Sequence, residues 1–184
     1  YHQTIAGALK NYGEAISKFG NDDVAEQFYS KYLNMVNYAT HVIKPDGKWP
    51  FVSDTYANSN PNPVLWEDPY YQYAVSKGHT GKKPEETNAV FPDSGYAIFR
   101  DRWGSSGEGT YLFFTAAYHT DYHKHSDDLS LWIYHNEDII TEAGPYSYTL
   151  SDPVTQYAYS SYAHNTLIVD NNGLAIVKST SGLE

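Results

Sequence analysis

The hydrophobic period of this chain changes once along its length, and this change constrains the fold more than any other feature of the sequence. Before residue 77, apolar side chains recur every three to four residues, which is the period of an amphipathic helix. After residue 90 they alternate with polar side chains, which is the period of a half-buried strand. The sequence therefore predicts a helical segment that is followed by an antiparallel β region.

The helical segment is predicted to contain a helical hairpin and one further short helix. The first helix ends at Gly20, where a glycine commonly caps the C-terminus of a helix. The second begins at the cap of residues 21–23, whose two aspartates complement the helix dipole, and it ends before Pro45. A third helix is predicted over residues 64–76. The apolar face of the first helix consists of Ile5, Leu9, Tyr12, Ile16 and Phe19.

The region after residue 90 contains several short runs of alternating or β-branched residues. Turn-forming residues separate several of these runs and no helical pattern lies between them, which is typical of an antiparallel sandwich. The predicted strands are residues 96–100, 110–115, 129–134, 138–142, 165–169 and 174–178. We thus predict a mainly β fold in which a helical hairpin precedes an antiparallel β-sandwich. The predicted units are a helical segment (1–76), a linker (77–90) and the sandwich (91–184).

The composition excludes several functional classes. Lys and Arg number 12 against 22 Asp and Glu, and the net charge of -10 argues against a nucleic-acid partner, because phosphate binding requires a basic face. The longest charge-free aromatic run, residues 111–120, is about half the length needed for a membrane span. Without cysteine the chain has no disulfide or thiolate metal site. Aromatic residues make up 16%, which suits stacking on sugar rings and equally suits a sandwich core.

Histidines near residue 125 are the side chains that most suggest chemistry. His123 and His125 are two residues apart, so that on an extended strand both would point to one face, which is apolar further along. Ionisable groups on an apolar face are costly unless they are ligated or paired. The turn at 135–137 would bring Glu142 back towards His125, and His164 opens a further predicted strand. Two imidazoles and one carboxylate suit zinc, but the same residues also suit polar strand ends and a core histidine.

Four blocks of sequence, in this order, resemble the C-terminal part of the heparinase II/III-like polysaccharide lyases. They are residues 91–101 (Phe-Pro-Asp-Ser-Gly-Tyr-Ala-Ile-Phe-Arg-Asp), 123–130 (His-Lys-His-Ser-Asp-Asp-Leu-Ser), 142–148 (Glu-Ala-Gly-Pro-Tyr-Ser-Tyr) and 163–170 (Ala-His-Asn-Thr-Leu-Ile-Val-Asp). The N-terminal helices, with Pro45-Asp46-Gly47, resemble the last helices of the family's α/α toroid. One departure is Glu142, which stands in Thr-Glu-Ala-Gly where the family usually has Asp in Val-Asp-Pro-Gly.

The resemblance implies a fragment of a lyase that cleaves uronic-acid glycans, such as heparan sulfate (a glycosaminoglycan), alginate or hyaluronate, by β-elimination. It implies that His123 faces the substrate, with Tyr148 as a second candidate catalytic residue. It also implies that His125, Glu142 and His164 hold a structural zinc ion. The implied partners are an anionic polysaccharide and a toroid domain of the same protein upstream of residue 1, without which the chain would have little activity. The implied location is periplasmic or secreted.

Two other interpretations stay open at this point. A cupin-like metal enzyme also uses His-x-His followed by a glutamate and a later histidine, but cupins place the glutamate within a few residues, where this chain has Asp128 or Leu129. A non-catalytic carbohydrate-binding sandwich would use aromatic stacking and a structural metal. The net charge of -10 favours this second alternative, because a surface that degrades polyanions should be basic.

Overall fold

The computed structural model describes residues 2–56, 60–62, 67–116 and 123–174. Its helices are α1 (His2–Lys18), α2 (Asp22–Val42), α3 (Pro69–Val75) and α4 (Pro153–Tyr159). Its strands are β1 (Ala89–Phe91), β2 (Tyr96–Arg100), β3 (Thr110–Thr115), β4 (Leu131–His135) and β5 (Asp138–Ile140). Short 3-10 turns lie at Pro92–Ser94 and Ser161–Ala163. Within the described residues, the helices are too short or too polar to cross a bilayer.

The five strands form an antiparallel sheet in which neighbours in space are neighbours in the chain, in the order β1-β2-β3-β4-β5. Ile98 lies opposite Phe113, which in turn lies opposite Trp132. All three side chains are buried, so these cross-strand pairs form the packed face of the sheet. The predicted fold class, an antiparallel β region preceded by a helical hairpin, is confirmed. In the described part of the chain the helices contain more residues than the strands.

Two hydrophobic clusters meet at the C-terminal end of α2. One cluster lies between the helices and contains Val36 and Tyr71. The other packs Val42 of α2 against the sheet, where it meets the buried ring of Tyr111. Because Val42 belongs to the sheet cluster and the next residue, Ile43, belongs to the helical cluster, the end of α2 fastens the helices to the sheet.

A buried arginine strengthens this connection. Arg100, the last residue of β2, donates hydrogen bonds from Nη2 to the carbonyls of His41, at 2.7 Å, and Ile43. Its guanidinium carbon lies 4.1 Å from the ring centre of Trp103 and 4.7 Å from that of Tyr111. A cation at the C-terminus of a helix also complements the helix dipole. Burial lowers the pKa of Arg100 to about 10, which leaves the guanidinium charged at neutral pH.

Residues 123–130 form a loop, whereas the sequence analysis placed His123 and His125 on an extended strand. The strand predicted from residue 129 begins at Leu131. His123 and Leu129 have φ angles of 61° and 65°, in the left-handed region that strands do not use. The expectation that His123 and His125 share one face of a strand is therefore wrong. A period of two was present in the sequence, but long-range hydrogen bonds shape this segment.

Other predicted elements also differ from the structure. The described part of the third helix begins at Pro69, whereas residues 63–66 lie outside the described residues. Strand β1 falls at the end of the predicted linker and was not predicted. The strand predicted over 165–169 is not formed, and its last residue, Val169, makes only an isolated bridge with Asn172. Most of the strand predicted over 174–178 lies outside the described residues.

Candidate functional site

An open cleft of about 670 Å³ lies between α1, α2, the segment that follows α2 and the loop that contains His123. Aromatic side chains form much of its wall, among them Tyr38, Trp49 and Tyr96. Both residues predicted to be catalytic, His123 and Tyr148, line this cleft. Within the described lining there is a carboxylate but no lysine or arginine.

His123 and Tyr148 are in contact at the cleft. Their ring centres are 5.5 Å apart and their planes are inclined at 80°, which is an edge-to-face arrangement. Tyr148 is about half exposed, and the centre of its ring lies 6.3 Å from that of Tyr56. Reduced solvation, followed by the nearby carboxylate of Asp54, raises the pKa of Tyr148 to about 12. The phenol is therefore protonated at neutral pH and can donate a proton or a hydrogen bond into the cleft.

Asp54 is a functional candidate that the sequence analysis missed. It lies in the segment after α2, 69 residues before His123, and its Oδ2 contacts Nδ1 of that imidazole. Its other oxygen, Oδ1, lies 3.0 Å from Nε2 of His125 and accepts a hydrogen bond of 3.3 Å from the hydroxyl of Tyr159. The carboxylate of Asp54 is therefore the hydrogen-bond partner of two imidazoles and one phenol. No periodic pattern marks a loop residue of this kind, so the sequence carried no local signal for it.

The three predicted metal ligands lie in one buried cluster. Nδ1 of His164 contacts Oε2 of Glu142, whose Oε1 accepts a hydrogen bond of 2.8 Å from the amide of Asn165. The rings of His125 and His164 have their centres 5.3 Å apart. Nδ1 of His125 and Nε2 of His164 are buried and have no hydrogen-bond partner in the described part of the chain. Among the described residues, however, no group of three or more His, Asp or Glu side chains is arranged to hold a metal ion.

A buried ion pair shapes the loop that carries the histidines. Lys124 donates to Oδ1 of Asp127, whose Oδ2 accepts a hydrogen bond of 2.7 Å from the hydroxyl of Ser53. Burial raises the pKa of Asp127, but Lys124 and Ser53 outweigh burial and hold this pKa below its usual value. Asp127 therefore connects the loop to Ser53, whereas the carboxylate that contacts the imidazoles is that of Asp54.

Helix α4 supports the same site from the C-terminal side. Its N-cap, Asp152, accepts hydrogen bonds from two amides of the first turn, and Pro153 occupies the first helical position, which favours a sharp start. At its other end the carbonyl of Tyr159 accepts a hydrogen bond of 2.9 Å from the amide of Ser126. The ring of Tyr159 lies over His125 with 4.0 Å between ring centres. The imidazole of His125 is therefore fixed by stacking as well as by Asp54.

The model of the family described as heparinase II/III-like, C-terminal, matches residues 83–182 of this chain. That range covers more than half of the chain and includes His123, His125, Glu142 and His164. The chain belongs to the heparinase II/III-like family, as its resemblance to that family predicted.

Individual relatives agree with this assignment. The chain is 23% identical over 175 residues to a heparin-sulfate lyase of Bacteroides stercoris, covering 85% of this chain and 26% of that protein. Its fold is similar to that of the heparan sulfate lyase HepC from Pedobacter heparinus (TM-score 0.77, 17% identity, 97% of this chain and 30% of that chain). A heparinase III gene product is also similar (TM-score 0.73, 20% identity, 95% of this chain and 29% of that chain). The chain thus spans less than a third of the length of these relatives.

Proposed function

We propose that this chain forms one wall of the active site of a polysaccharide lyase that cleaves uronic-acid glycans by β-elimination. The observation that carries the proposal is the contact between His123 and Tyr148 in an aromatic cleft, in a chain of this family. Aromatic rings such as Trp49 favour a sugar ligand, since they stack on the apolar faces of pyranose rings. The relatives named as heparin-sulfate and heparan sulfate lyases support a glycosaminoglycan as the substrate.

The chemistry of β-elimination fits these side chains. A base removes the proton next to the uronate carboxylate, the electron pair forms a ring double bond, and the glycosidic carbon–oxygen bond breaks. An acid then protonates the departing oxygen, so that the products are an unsaturated sugar and a free hydroxyl group. In this proposal His123 and Tyr148 are the groups of this chain that exchange these protons or donate hydrogen bonds to the developing negative charge.

The charge of the cleft supports the participation of further residues. The negative charge that develops on the uronate carboxylate when the proton is removed must be stabilised, yet the described lining contains Asp54 and no lysine or arginine. The relatives are more than three times as long as this chain, and we propose that an equivalent preceding toroid domain supplies the opposite wall of the cleft. We therefore expect little or no turnover by these 184 residues alone.

We further propose that His125, Glu142 and His164 hold a structural zinc ion. Two nitrogen donors and one carboxylate are a normal zinc ligand set, and the two buried imidazole nitrogens without partners in the described residues support it. Bound zinc would fasten the loop that contains His123 to Glu142 and His164. Closing the coordination sphere requires side-chain movements, because the described residues do not already converge on one point. A periplasmic or secreted location stays a proposal that rests on the family alone.

The lyase proposal is tested by turnover. The 184-residue chain and a longer protein that contains it are incubated with heparan sulfate, alginate and hyaluronate, and the ultraviolet absorbance of the unsaturated product is followed. We expect turnover by the longer protein, a large loss in its His123→Ala variant, and little turnover by the chain alone. Robust turnover that survives His123→Ala would show that the active site lies elsewhere.

The carbohydrate-binding alternative keeps one observation in its favour. The chain has a net charge of -10, and its described cleft lining contains no lysine or arginine. This alternative predicts saturable glycan binding by the longer protein without any unsaturated product. The family match favours the lyase over the cupin-like alternative.

A further inference from the structure

We propose that Asp54 is a positioning residue that fixes the imidazoles of His123 and His125 at the same time, with one carboxylate oxygen on each ring. The hydrogen bonds of Asp54 are independent of any activity. Their significance for catalysis rests on the proposed function.

The geometry determines where the protons lie. Oδ2 of Asp54 contacts Nδ1 of His123, and Oδ1 lies 3.0 Å from Nε2 of His125. An ionised carboxylate can only accept hydrogen bonds, so both imidazoles must donate to it. His123 therefore carries its proton on Nδ1, and His125 carries its proton on Nε2.

The consequence differs for the two rings. In neutral His123 the lone pair resides on Nε2, the nitrogen remote from Asp54; the side chain lines the cleft, but Nε2 itself is buried. A carboxylate fixes the tautomer and orientation of a catalytic histidine in the same way in acyl-transfer enzymes. In His125 the lone pair resides on Nδ1, which is the buried nitrogen without a partner among the described residues. Asp54 thereby presents the nitrogen of His125 that a metal would need.

A neighbouring carboxylate shows that this arrangement is specific. Asp127 is also buried beside the histidines, but its oxygens accept from Lys124 and from Ser53. Asp127 is therefore a partner of an ammonium group and shapes the loop. Asp54 faces imidazoles, and its side chain keeps 12% of its surface exposed at the cleft.

The protonated ring nitrogens can be identified directly. Long-range proton–nitrogen correlation spectra of the isotope-labelled chain distinguish protonated from unprotonated imidazole nitrogens, and they are recorded at about pH 8, where an ordinary imidazole is neutral. We expect a proton on Nδ1 of His123 and on Nε2 of His125. A wild-type spectrum with Nδ1 of His123 or Nε2 of His125 unprotonated overturns the proposal.

Substitutions provide the second arm of the experiment. Asparagine offers one acceptor and one donor group, so Asp54→Asn should make one of the two rings exchange its protonated nitrogen. Asp54→Glu retains two acceptors and should preserve the wild-type pattern on at least one ring. Asp128→Asn is the matched control, because Asp128 lies in the same loop as the two histidines but pairs with Lys124, and both rings should keep their tautomers. Unchanged tautomers on both rings in a folded Asp54→Asn variant also overturn the proposal. If this variant does not fold, the wild-type spectrum decides alone.

The catalytic consequence is measured in the longer, active protein. Asp54→Asn should lower kcat by roughly 10²- to 10⁴-fold with little change in KM, and Asp54→Glu should recover part of that loss. An unchanged kcat in Asp54→Asn would contradict the role in positioning His123. Because the tautomers are determined without substrate, a protein that shows them but never turns over any glycan would contradict the lyase proposal and leave the assignment of Asp54 intact.

Discussion

Charged side chains connect the helical segment to the sheet region, and two of these connections use charge differently. At the Arg100 junction, which comprises Arg100 with the carbonyls of His41 and Ile43, a buried guanidinium donates hydrogen bonds from Nη2 to backbone atoms. At the Asp54 junction, which comprises Asp54 with His123 and His125, a carboxylate is satisfied by imidazoles at the edge of an open cleft.

The difference separates a structural role from a chemical one. Backbone carbonyls at the end of a helix carry fixed partial charges, cannot exchange protons and cannot turn away from the arginine. Imidazoles can exchange protons and can rotate when their partner is lost. We therefore expect changes at the Arg100 junction to alter the stability of the fold, and changes at the Asp54 junction to alter chemistry first.

The largest expected effect is on stability at the Arg100 junction. Arg100→Ala should lower the free energy of unfolding by roughly 3–5 kcal/mol, because two carbonyls lose their donor and a cavity opens beside Trp103 and Tyr111. Denaturant unfolding of the chain measures this value. Arg102→Ala is the control, since Arg102 is exposed and its pairing with Asp101 should contribute less than about 1 kcal/mol. Equal effects of the two substitutions would remove the distinction between the junctions.

The next effect is on catalysis beside the Asp54 junction. Tyr148→Phe in the longer protein should lower kcat by roughly 100-fold, because the hydroxyl that donates into the cleft is lost. The free energy of unfolding should change by less than about 0.5 kcal/mol, because the side chain is half exposed. Tyr146→Phe is the control, since Tyr146 is similarly exposed but is not among the described residues that line the cleft. A loss of kcat shared by both variants would argue against a specific role for Tyr148.

Removal of zinc should change the free energy of unfolding by an amount no larger than the change in activation free energy expected for Tyr148→Phe. If zinc is bound, a chelator should lower the free energy of unfolding by about 2.7 kcal/mol when free zinc had been at 100 times its dissociation constant. The His164→Ala variant should not respond, whereas His135→Ala should respond like the wild type, because His135 contacts Thr110 away from the cluster. Elemental analysis that finds less than about a tenth of an equivalent of zinc in the zinc-supplied wild type would contradict the metal site.

The elements with regular periodicity were predictable from sequence. Strands β2 and β3 have the predicted bounds. The hairpin of α1 and α2 turns at Gly20, as predicted, and the φ of this glycine is 76°, in the left-handed region. The information needed for these elements is local, because each is specified by its own pattern of apolar residues. The family blocks around His125 and His164 supplied the candidate ligands, whose binding of a metal stays a prediction.

What the sequence could not provide depends on distant partners. Asp54 is identified as a site residue only by its contacts with two histidines that lie about 70 residues further along the chain. Residues 123–130 alternate like a strand, but the amide of Leu129 donates to the carbonyl of Thr115 and the chain turns before β4. Residues 165–169 have a high β propensity, yet among the described residues they have no neighbouring strand. Propensity alone does not form a strand without a partner.

The smallest expected effect is a dependence of stability on pH at the Arg100 junction. Burial lowers the pKa of His41, an effect that the positive charge of Arg100 increases and that Glu86 and the hydrogen bond to the carbonyl of Asn37 oppose. The folded protein therefore binds a proton here less readily than the unfolded chain, whose histidine has a pKa of about 6.5. Above that pH neither state is protonated and the full stability is present. As the pH falls below about 6.5 the unfolded state gains protons first, so stability decreases until the folded pKa is reached.

This dependence can be assigned by substitution. His41→Gln should weaken the loss of stability between about pH 7 and pH 5, whereas His79→Gln, at an exposed position, should leave it unchanged. His2 is half-buried, which lowers its pKa, and it contributes equally in both variants, so the difference between them isolates His41. Denaturant unfolding of the wild type and of both variants at the two pH values gives the free energies that are required. If both variants retain the wild-type slope, the acid sensitivity of the fold does not arise at the Arg100 junction. If instead only His41→Gln reduces the pH dependence of stability, the Arg100 junction contributes to the pH response. This contribution then comes from the imidazole of His41 and not from the arginine.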